Sequence, residues 1–186
     1  MKQFQIQTKM NKELLLSNLR NIPDFPIPGI QFKDVTSLFK KAECLKELDD
    51  ALYNLYKDCG ITKVVGIESR GFVMGAALAL RLNAGFVPIR KPGKLPAETI
   101  SESYSKEYGT DTIEIHKDAI EENDVVLIHD DLLATGGTAL AAYNLVQKLN
   151  PKKIMVSFII ELEGLKGREI FPKEADVKSL LSLDGE

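Results

Sequence analysis

The sequence predicts a three-layer α/β fold, in which a mostly parallel central sheet is covered by helices on both faces. Short, continuously apolar segments alternate with amphipathic segments along most of the chain. Strands of a parallel sheet are apolar throughout because both of their faces are covered, whereas the intervening helices need only one apolar face. No internal repeat or linker-like segment divides the 186 residues. We therefore expect a single domain over 1–186, with an N-terminal part over 1–41 and a core over 42–186.

The composition excludes several classes of protein. With 44% hydrophobic and 27% charged residues, the chain has the make-up of a globular protein rather than a disordered or fibrous one. It contains no apolar run of about 18 residues, so no membrane span is expected. The N-terminal segment carries scattered charges and no apolar stretch followed by a cleavage site, so we do not expect a secretory signal. The net charge of −3 gives no reason to expect nucleic-acid binding.

The cysteine content indicates a reducing, cytoplasmic setting. Cys44 and Cys59 have neither the CxxC spacing of a metal site nor a neighbouring histidine pair. We therefore expect two free thiols rather than a disulfide framework or a zinc site.

Two helices and an irregular loop are predicted at the start of the chain. The first helix covers 11–20, where leucines form an apolar stripe. The stretch 21–34 contains three prolines. Proline fixes φ and removes a backbone donor, so we expect a rigid loop without regular structure there. A second helix covers 42–57, because leucines recur at helical spacing and Gly60 follows as a stop signal.

From Lys63 onward, predicted strands and helices alternate. Five apolar or alternating segments are predicted as strands, at 63–67, 85–89, 112–116, 125–129 and 153–160. Helices are predicted over 71–83 and 136–149. The polar stretch 96–111 lacks periodicity, and a connection of that length in a compact domain is commonly a lid or a disordered loop.

The clearest chemical signal follows the strand 125–129, at the start of the next helix. It consists of Ala134, Thr135, Gly136, Gly137 and Thr138. Glycine lets the backbone approach a ligand closely and tolerates positive φ, so consecutive N–H groups and two threonine hydroxyls can be directed at one anion. The helix N-terminus favours an anion on the same side. Taken alone, the segment fits either a phosphate site or a strand–helix turn without a ligand, and it is not a Walker A loop.

Two adjacent acids, Asp130 and Asp131, precede this segment. Consecutive residues of a strand face opposite sides, so we expect the pair to be poorly placed for sharing a proton. Carboxylates accept hydrogen bonds from hydroxyl groups. A ribose whose 5-phosphate occupies the glycine-rich segment would present its 2- and 3-hydroxyls here, so the acids favour a phosphoribosyl ligand.

The segment DDLLATGGT (130–138) resembles the phosphoribosyl-pyrophosphate signature of the type I phosphoribosyltransferases, in the form typical of members that act on adenine. The resemblance extends over about 22–171 and includes PDFPIPGIQFKD (23–34), ESRGF (68–72), RKPGKLP (90–96), ESYSKEYGTD (102–111) and LKGRE (165–169). It implies the fold of that family with a flexible flap. It also implies transfer of 5-phosphoribose from phosphoribosyl pyrophosphate to adenine, a purine-salvage reaction that forms AMP.

The resemblance places the pyrophosphate between two loops. Ser69 and Arg70 follow the strand 63–67, and Arg70 is expected to clamp the pyrophosphate bidentately. Arg90 and Lys91 follow the next strand and converge on the same edge of the sheet. By resemblance they help to hold the pyrophosphate, and Lys91 is contributed across a homodimer interface.

The polar stretch 96–111 corresponds to the family's flap, which closes over the reacting centre and excludes water. Glu107 and Tyr108 match the Glu-Tyr pattern of that flap. The resemblance implies that Glu107 is the general acid/base for the purine ring nitrogens and that Tyr108 contacts substrate.

The loop PGIQFKD is expected to form the base pocket. Phe32 offers a flat face for stacking on adenine, a contact worth about 1–3 kcal/mol per base. Main-chain groups of Gln31 and Lys33 are expected to bind the adenine edge, and Leu162 to close the other face of the base. Lys33 stands where the family often has arginine. His129 stands where the family usually has an aliphatic residue, and we expect a strand histidine there rather than a catalyst.

The expected reaction is displacement at the anomeric carbon through an oxocarbenium-like transition state. Magnesium is expected to arrive with the pyrophosphate, with few or water-mediated protein ligands, so no metal site made by the protein itself is predicted. Two alternatives remain within the fold: a transferase for a 6-oxopurine, and a non-catalytic protein that senses phosphoribosyl pyrophosphate. The first would need a donor beside the base. A regulator acting on DNA would need a basic element, which the sequence does not offer.

Overall fold

A computed structural model of the chain describes residues 10–105 and 109–185. Its strands are β1 Arg20–Pro23, β2 Gln31–Asp34, β3 Lys63–Ile67, β4 Gly85–Ile89, β5 Thr99–Ser105, β6 Thr110–His116, β7 Val125–Leu133, β8 Lys153–Leu162 and β9 Asp176–Leu183. The helices are α1 Lys12–Asn18, α2 Thr36–Phe39, α3 Ala42–Tyr56, α4 Gly71–Leu82 and α5 Gly137–Gln147. Two short 3-10 helices, Glu163–Leu165 and Gly167–Ile170, follow β8.

Five strands form one sheet in the order β4-β3-β7-β8-β9. Every neighbouring pair in it is parallel. Two antiparallel ribbons, β1–β2 and β5–β6, lie outside the sheet. In a parallel sheet all strands end at the same edge, so the segments that follow β3, β4, β7 and β8 are brought together there.

The core is divided by the sheet into two apolar clusters. Alternate strand residues enter opposite clusters, as Val64 and Val65 of β3 do. One cluster is closed by α5 together with β6, and the other by α1, α3 and α4. The predicted three-layer arrangement with helices on both faces is therefore confirmed. Among the described residues, no helix combines the length and apolar composition needed to cross a membrane.

Most predicted elements match the structure within two residues of their ends. β3 and β4 coincide with the predicted strands, and the helix predicted over 42–57 is α3. The first helix is shorter than predicted because the chain is already extended at Leu19, where β1 is about to begin. Its N-terminus is capped by the Asn11 side chain, which accepts a hydrogen bond from the Leu14 N–H group. β7 is longer than predicted and runs to Leu133, so both acids lie inside the strand.

The prediction of an irregular loop over 21–34 was wrong at both ends of the stretch, which form the β1–β2 ribbon, whereas the connection 24–30 has no regular structure, as predicted. Arg20 pairs with Asp34, and Pro23 pairs with Gln31. The prolines do not prevent pairing, since Pro23 ends its strand and the other two lie in the connection between the strands. Edge and end positions of a strand tolerate proline.

The prediction that 96–111 lacks regular structure was also wrong. β5 occupies 99–105 and pairs with β6, from Thr99 opposite His116 to Ser105 opposite Thr110. Ile100 and Tyr104 pack against the apolar cluster beneath. A period-two alternation is present in this segment, but it is weak. Serines occupy the exposed positions 101, 103 and 105, and Glu102 stands between Ile100 and Tyr104 on the half-buried side. The parallel edge strand β9 was not predicted at all.

Candidate active site

The residues singled out by the sequence converge at the carboxyl edge of the five-stranded sheet. Arg70 follows β3, Arg90 follows β4, Asp130 and Asp131 lie near the end of β7, and Leu162 ends β8. Because these strands are neighbours, the segments that follow them face one crevice. The β1–β2 ribbon and the β5–β6 ribbon border this crevice, as the contacts of Phe32 and Tyr104 described below show.

The glycine-rich segment 134–138 forms the turn from β7 into α5. Gly136 caps the helix in the left-handed region, with φ of 84°, and no side chain caps the helix. None of the N–H groups of residues 135–138 donates a hydrogen bond to another residue of the described ranges. Four successive N–H groups at a helix N-terminus form a site for an anion. The structure therefore places Thr135, Gly136, Gly137 and Thr138 at the start of α5, and their binding of a phosphate stays a prediction.

The two acids differ in environment. Asp131 is only 1% exposed, and its Oδ2 atom lies 2.6 Å from Arg70 Nε. Burial raises the pKa of Asp131, and the Arg70 guanidinium opposes that rise. Burial also raises the pKa of Asp130 well above its usual value, and the negative charge of Asp131 raises it further. The site therefore contains one acid paired with arginine and one acid held close to a like charge.

The expectation that the two acids are poorly placed to share a proton stays a prediction, although the two residues are in contact. Asp130 Oδ1 accepts a hydrogen bond of 2.9 Å from the backbone N–H group of Asp131. This bond joins the Asp130 carboxylate to the Asp131 main chain, and the negative charge of Asp131 raises the pKa of Asp130, so the two acids lie close together.

Gly71 allows α4 to begin against the end of β7. A β carbon at this position would lie 2.6 Å from the His129 carbonyl oxygen and 3.1 Å from Asp130 Oδ1. The first distance is too short for a real β carbon and the second is tighter than most, so glycine is required for this approach. As a result Asp130 lies at the N-terminus of α4, where the helix dipole favours negative charge.

Arg70 connects the acids with the β1–β2 ribbon. Its guanidinium carbon lies 5.5 Å from the centroid of the Phe32 ring. Phe32 also makes an edge contact with Phe25, with the ring centroids 5.1 Å apart. The predicted base-stacking side chain is therefore beside the predicted pyrophosphate arginine.

Asn21 is a residue of this ribbon that the sequence did not reveal. Its amide nitrogen donates to Gln31 Oε1 at 2.7 Å, and its oxygen accepts from Lys33 Nζ at 3.0 Å. The Lys33 side chain, whose role was open, is thus held within the ribbon. The predicted main-chain contacts of Gln31 and Lys33 with a base stay predictions.

Glu68 is a second residue that sequence reasoning missed. Its carboxylate accepts from Arg90 Nε at 3.3 Å, from Arg90 Nη2 at 3.2 Å and from the Lys91 N–H group at 2.8 Å. The hydrogen bond from Arg90 holds the pKa of Glu68 below its usual value. The peptide between Glu68 and Ser69 is cis. An acid directly between β3 and the Ser69–Arg70 pair was the available signal, and it ties the two predicted pyrophosphate loops together.

The β5–β6 ribbon reaches the glycine-rich segment through Tyr104. The Thr138 hydroxyl donates to the Tyr104 hydroxyl at 2.8 Å. A β carbon at Gly137 would lie 3.6 Å from Tyr104 Cδ2, so the ring covers the start of α5. On the adjacent strand, Asp111 lies 3.4 Å from Lys91 Nζ. Glu107 and Tyr108, the predicted flap residues, lie outside the described residues.

Leu162 and His129 lie in the apolar interior rather than at the surface of the crevice. Leu162 is 9% exposed and belongs to the apolar cluster on the α3 side of the sheet, so its contact with a base stays a prediction. His129 is fully buried, and its Nδ1 atom lies 3.3 Å from Ser157 Oγ. Burial lowers the pKa of His129 to about 4, so the ring is neutral at physiological pH. The expectation of a strand histidine is confirmed.

Comparisons with known proteins identify what the chain is similar to. Residues 34–185 match the family described as the phosphoribosyl transferase domain. The adenine phosphoribosyltransferase of Phocaeicola vulgatus is 69% identical over 174 residues, which cover 94% of this chain and 100% of that protein. The enzyme of the same name from Bacteroides thetaiotaomicron is 67% identical over 174 residues, covering 94% of this chain and 99% of its own.

Solved structures with the same arrangement carry the same name. The adenine phosphoribosyltransferase of Rhodothermus marinus superposes with a TM-score of 0.86 at 53% identity, covering 92% of this chain and 97% of that one. The Saccharomyces cerevisiae enzyme, complexed with an imino-altritol bisphosphate and adenine, superposes with a TM-score of 0.85 at 43% identity. That match covers 91% of this chain and 97% of the yeast chain.

Proposed function

The chain belongs to the adenine phosphoribosyltransferases within the phosphoribosyltransferase family, and on this premise we propose how its crevice transfers 5-phosphoribose to adenine, releasing pyrophosphate and forming AMP. The observation that carries the proposal is the convergence of three parts: the N–H groups of 135–138, the half-buried Asp130 with the buried Asp131, and the Phe32 ring. These parts match a phosphate, a ribose and a base in that order along one ligand.

The 5-phosphate binds at the N-terminus of α5. The N–H groups of residues 135–138 and the Thr135 and Thr138 hydroxyls supply the donors, and the helix dipole favours the negative charge. Charge-assisted hydrogen bonds contribute roughly 1.5–3 kcal/mol each, so several of them bind a phosphate monoester without a lysine.

The ribose hydroxyls bind to Asp130 and Asp131. A ribose attached to that 5-phosphate lies next to the end of β7, where both carboxyl groups stand. Arg70, paired with Asp131, limits the repulsion between the two acids. It also brings a positive charge to the anomeric side of the sugar, where the pyrophosphate departs.

The pyrophosphate binds between Ser69–Arg70 and Arg90–Lys91. Glu68 holds the second loop against the first by accepting from the Arg90 guanidinium and the Lys91 N–H group. Arginine and lysine side chains in such a crevice stabilise the negative charge that develops on the leaving group. The base stacks on Phe32, so that its ring nitrogen faces the anomeric carbon from the side opposite the pyrophosphate.

The enzyme mainly positions its reactants and stabilises separating charge. As the bond to pyrophosphate lengthens, the anomeric carbon gains oxocarbenium character, and Asp130 and Asp131 lie near that positive charge. The β5–β6 ribbon covers the phosphate site and limits access of water to the reactive sugar. Glu107 serves the purine nitrogens as general acid/base and Tyr108 contacts substrate, a role supported by the resemblance of the EYG segment.

A magnesium ion would be carried by the pyrophosphate, and residues of this site would hold it. Among residues 10–105 and 109–185, no three histidine, cysteine or acidic side chains are grouped as a metal cage. Magnesium commonly keeps several waters and binds through one or two carboxylates plus substrate phosphates, and Asp130 with Asp131 fits that donor set. Bound there, the ion would neutralise the pyrophosphate charge.

The protein acts as a cytoplasmic homodimer. Cys44 and Cys59 are both free thiols, as in a reducing compartment. The outer face of α4 exposes apolar side chains, including Val73 at 45% and Leu80 at 84% exposure. An apolar helix face of this kind suits a second copy of the chain. In that assembly Lys91 reaches the neighbouring site.

A comparison of four purine bases as substrates tests the assignment. The protein is incubated with magnesium, phosphoribosyl pyrophosphate and one of four bases, namely adenine, hypoxanthine, guanine and xanthine, and nucleotide formation is followed. Adenine should be converted by a wide margin over the other three, because main-chain acceptors of the β1–β2 ribbon match a 6-amino group and not a 6-oxo group. Comparable turnover of hypoxanthine or guanine would contradict the adenine assignment.

A further inference from the structure

The glycine-rich segment is in direct backbone contact with a distant part of the chain, the start of the second 3-10 helix. A β carbon at Gly167 would lie 2.1 Å from the Ala134 carbonyl oxygen, and one at Gly136 would lie 2.6 Å from the Gly167 carbonyl oxygen. Neither position tolerates a side chain. The two glycines therefore let residues 134–136 and 167 interlock.

This contact determines which way one peptide group points. A β carbon built on Gly167 would lie 2.1 Å from the Ala134 carbonyl oxygen but 3.0 Å from the Ala134 carbonyl carbon. The carbonyl bond is thus directed at Gly167. In a planar trans peptide the N–H group points opposite to the carbonyl, so the Thr135 N–H group is directed away from Gly167. An anion site needs N–H groups rather than carbonyl oxygens facing the ligand.

Arg168 anchors the contacting residue to the sheet. Its Nε atom donates to Glu161 Oε1 at 2.9 Å, and its Nη2 atom donates to Ser179 Oγ at 3.3 Å. The same guanidinium contacts Glu161 Oε2 and the Val177 carbonyl oxygen. Glu161 is 6% exposed and also accepts from the Ser179 hydroxyl at 2.7 Å. The arginine fork therefore fastens Gly167 to the ends of two adjacent strands, β8 and β9.

We propose that Arg168 is a positioning residue for the 5-phosphate. By holding Gly167 against Ala134, it keeps the Thr135 N–H group directed at the phosphate, although its own side chain contacts no substrate. The inference rests on the proposed role of residues 135–138. It adds to that site a residue that lies about thirty positions further along the chain. Lysine cannot replace the bidentate contact with Glu161, because an ammonium group is a single point of charge.

The competing explanation is that the Arg168–Glu161 pair only stabilises the fold. The chain offers a matched control in Arg81, whose Nη1 atom pairs with Asp49 at 2.6 Å and Asp50 at 2.8 Å on the opposite side of the molecule from α5. Arg168 contacts both oxygens of one carboxylate and Arg81 contacts one oxygen of each of two, so Arg81→Lys weakens a comparable pair of contacts away from the crevice. Differences between the two variants therefore separate positioning from general stability.

The experiment measures binding of ribose 5-phosphate and of adenine by calorimetry, and the KM for phosphoribosyl pyrophosphate. Arg168→Lys should raise the Kd for ribose 5-phosphate about tenfold, the effect of weakening one charge-assisted hydrogen bond. The KM for phosphoribosyl pyrophosphate should rise in parallel, with kcat and the Kd for adenine changed less than about twofold. Arg81→Lys should leave all four quantities unchanged.

Glu161→Gln is the second variant, because it keeps the size of the anchor and removes its charge. It should weaken ribose 5-phosphate binding in the same direction as Arg168→Lys. A fall in melting temperature with unchanged ribose 5-phosphate affinity in both variants would overturn the inference. Absence of ribose 5-phosphate binding to the unmodified protein would overturn it as well. If instead the affinity falls as expected while adenine is not converted, the positioning role stands and the proposed transfer is what fails.

Discussion

Asp131 shows how a buried carboxylate is stabilised in this site. Its carboxyl group is 1% exposed, and Arg70 Nε lies 2.6 Å from it. Burial of an ion is costly unless it is paired, and the pair then constrains both partners. Arg70 is consequently held between Asp131 and the Phe32 ring rather than left to sample solvent. The arginine expected to clamp a pyrophosphate is already oriented by its neighbours.

Replacing Asp130 and Asp131 together with asparagine should weaken binding of the magnesium complex of phosphoribosyl pyrophosphate by about tenfold or more. Asparagine retains one acceptor oxygen but loses the charge that strengthens hydrogen bonds to the ribose hydroxyls. Calorimetry provides the measurement. Glu121 and Glu122, both exposed, supply the control when changed to glutamine. Equal affinities for the two double variants would show that the aspartates do not hold the ribose.

Glu107→Gln should lower turnover by about 10²–10⁴-fold while leaving substrate affinities nearly intact, because glutamine cannot exchange a proton with the purine. Single-turnover rates across pH are the measurement, since loss of proton transfer removes a titration limb whereas impaired closure only scales the curve. Glu98→Gln is the control, because the Glu98 side chain is 86% exposed and its ion pair with Lys117 is long, at 3.7 Å. Full activity of Glu107→Gln at every pH would show that Glu107 takes no part in proton transfer and that the flap only covers the crevice.

At the scale of elements, the β5–β6 ribbon and the start of α5 meet through one hydroxyl pair. Tyr104 covers Gly137 with its ring and accepts a hydrogen bond from Thr138. On its other strand the ribbon approaches the Arg90–Lys91 loop through Asp111. The ribbon therefore touches the start of α5 and the Arg90–Lys91 loop at once, which is the placement a cover over the crevice needs.

Tyr104→Phe keeps the ring over Gly137 and removes the hydroxyl, which accepts from Thr138 at 2.8 Å and donates to Asp111 Oδ2 at 3.5 Å. A neutral hydrogen bond contributes about 0.5–1.5 kcal/mol, so the KM for phosphoribosyl pyrophosphate should rise about two- to tenfold. Amide hydrogen exchange over 99–105 should become faster at the same time. Tyr53→Phe is the control, because Tyr53 lies on α3 and stacks with Arg81 away from the site. Unchanged exchange and unchanged KM in Tyr104→Phe would contradict a role for the hydroxyl pair.

The elements that the sequence predicted are those whose signal is local. β3 is a run of apolar, β-branched residues, and the turn at Gly136 is marked by its own glycines, so neighbouring residues suffice to find them. Glu68 and Arg168 were missed because their roles depend on partners far along the chain. β9 was missed because its burial is partial and its pairing with β8 is parallel, which leaves little alternation to detect.

At the scale of the whole molecule, function opposes stability at the end of β7. The pKa of Asp130 is raised in the folded protein, mainly by burial and then by the charge of Asp131. An acid with a raised folded-state pKa binds its proton more tightly when folded, so its favourable contribution is present at low pH and lost as pH rises through that pKa. At neutral pH the acid therefore destabilises the fold that it equips for binding.

Asp130→Asn should therefore stabilise the protein at pH 8 more than at pH 4, because asparagine resembles the protonated acid at both values. Urea unfolding at the two pH values measures the difference in free energy of unfolding. Asp58→Asn, at an exposed position after α3, is the control and should show no such trend. Equal stabilities of Asp130→Asn and the unmodified protein at both pH values would contradict the strain assigned to this acid.

The interlock of Gly136 with Gly167 also has a consequence for synthesis on the ribosome. Translation proceeds from the N-terminus, and domains begin to fold as their residues emerge. The glycine-rich segment emerges well before residue 167, and β9, to which Arg168 is fastened, emerges later still. A nascent chain thus carries residues 135–138, the proposed phosphate site, before it carries the residues that contact them. On the proposed role of this site, competence to bind substrate is acquired late in translation, after most of the core has become available for folding.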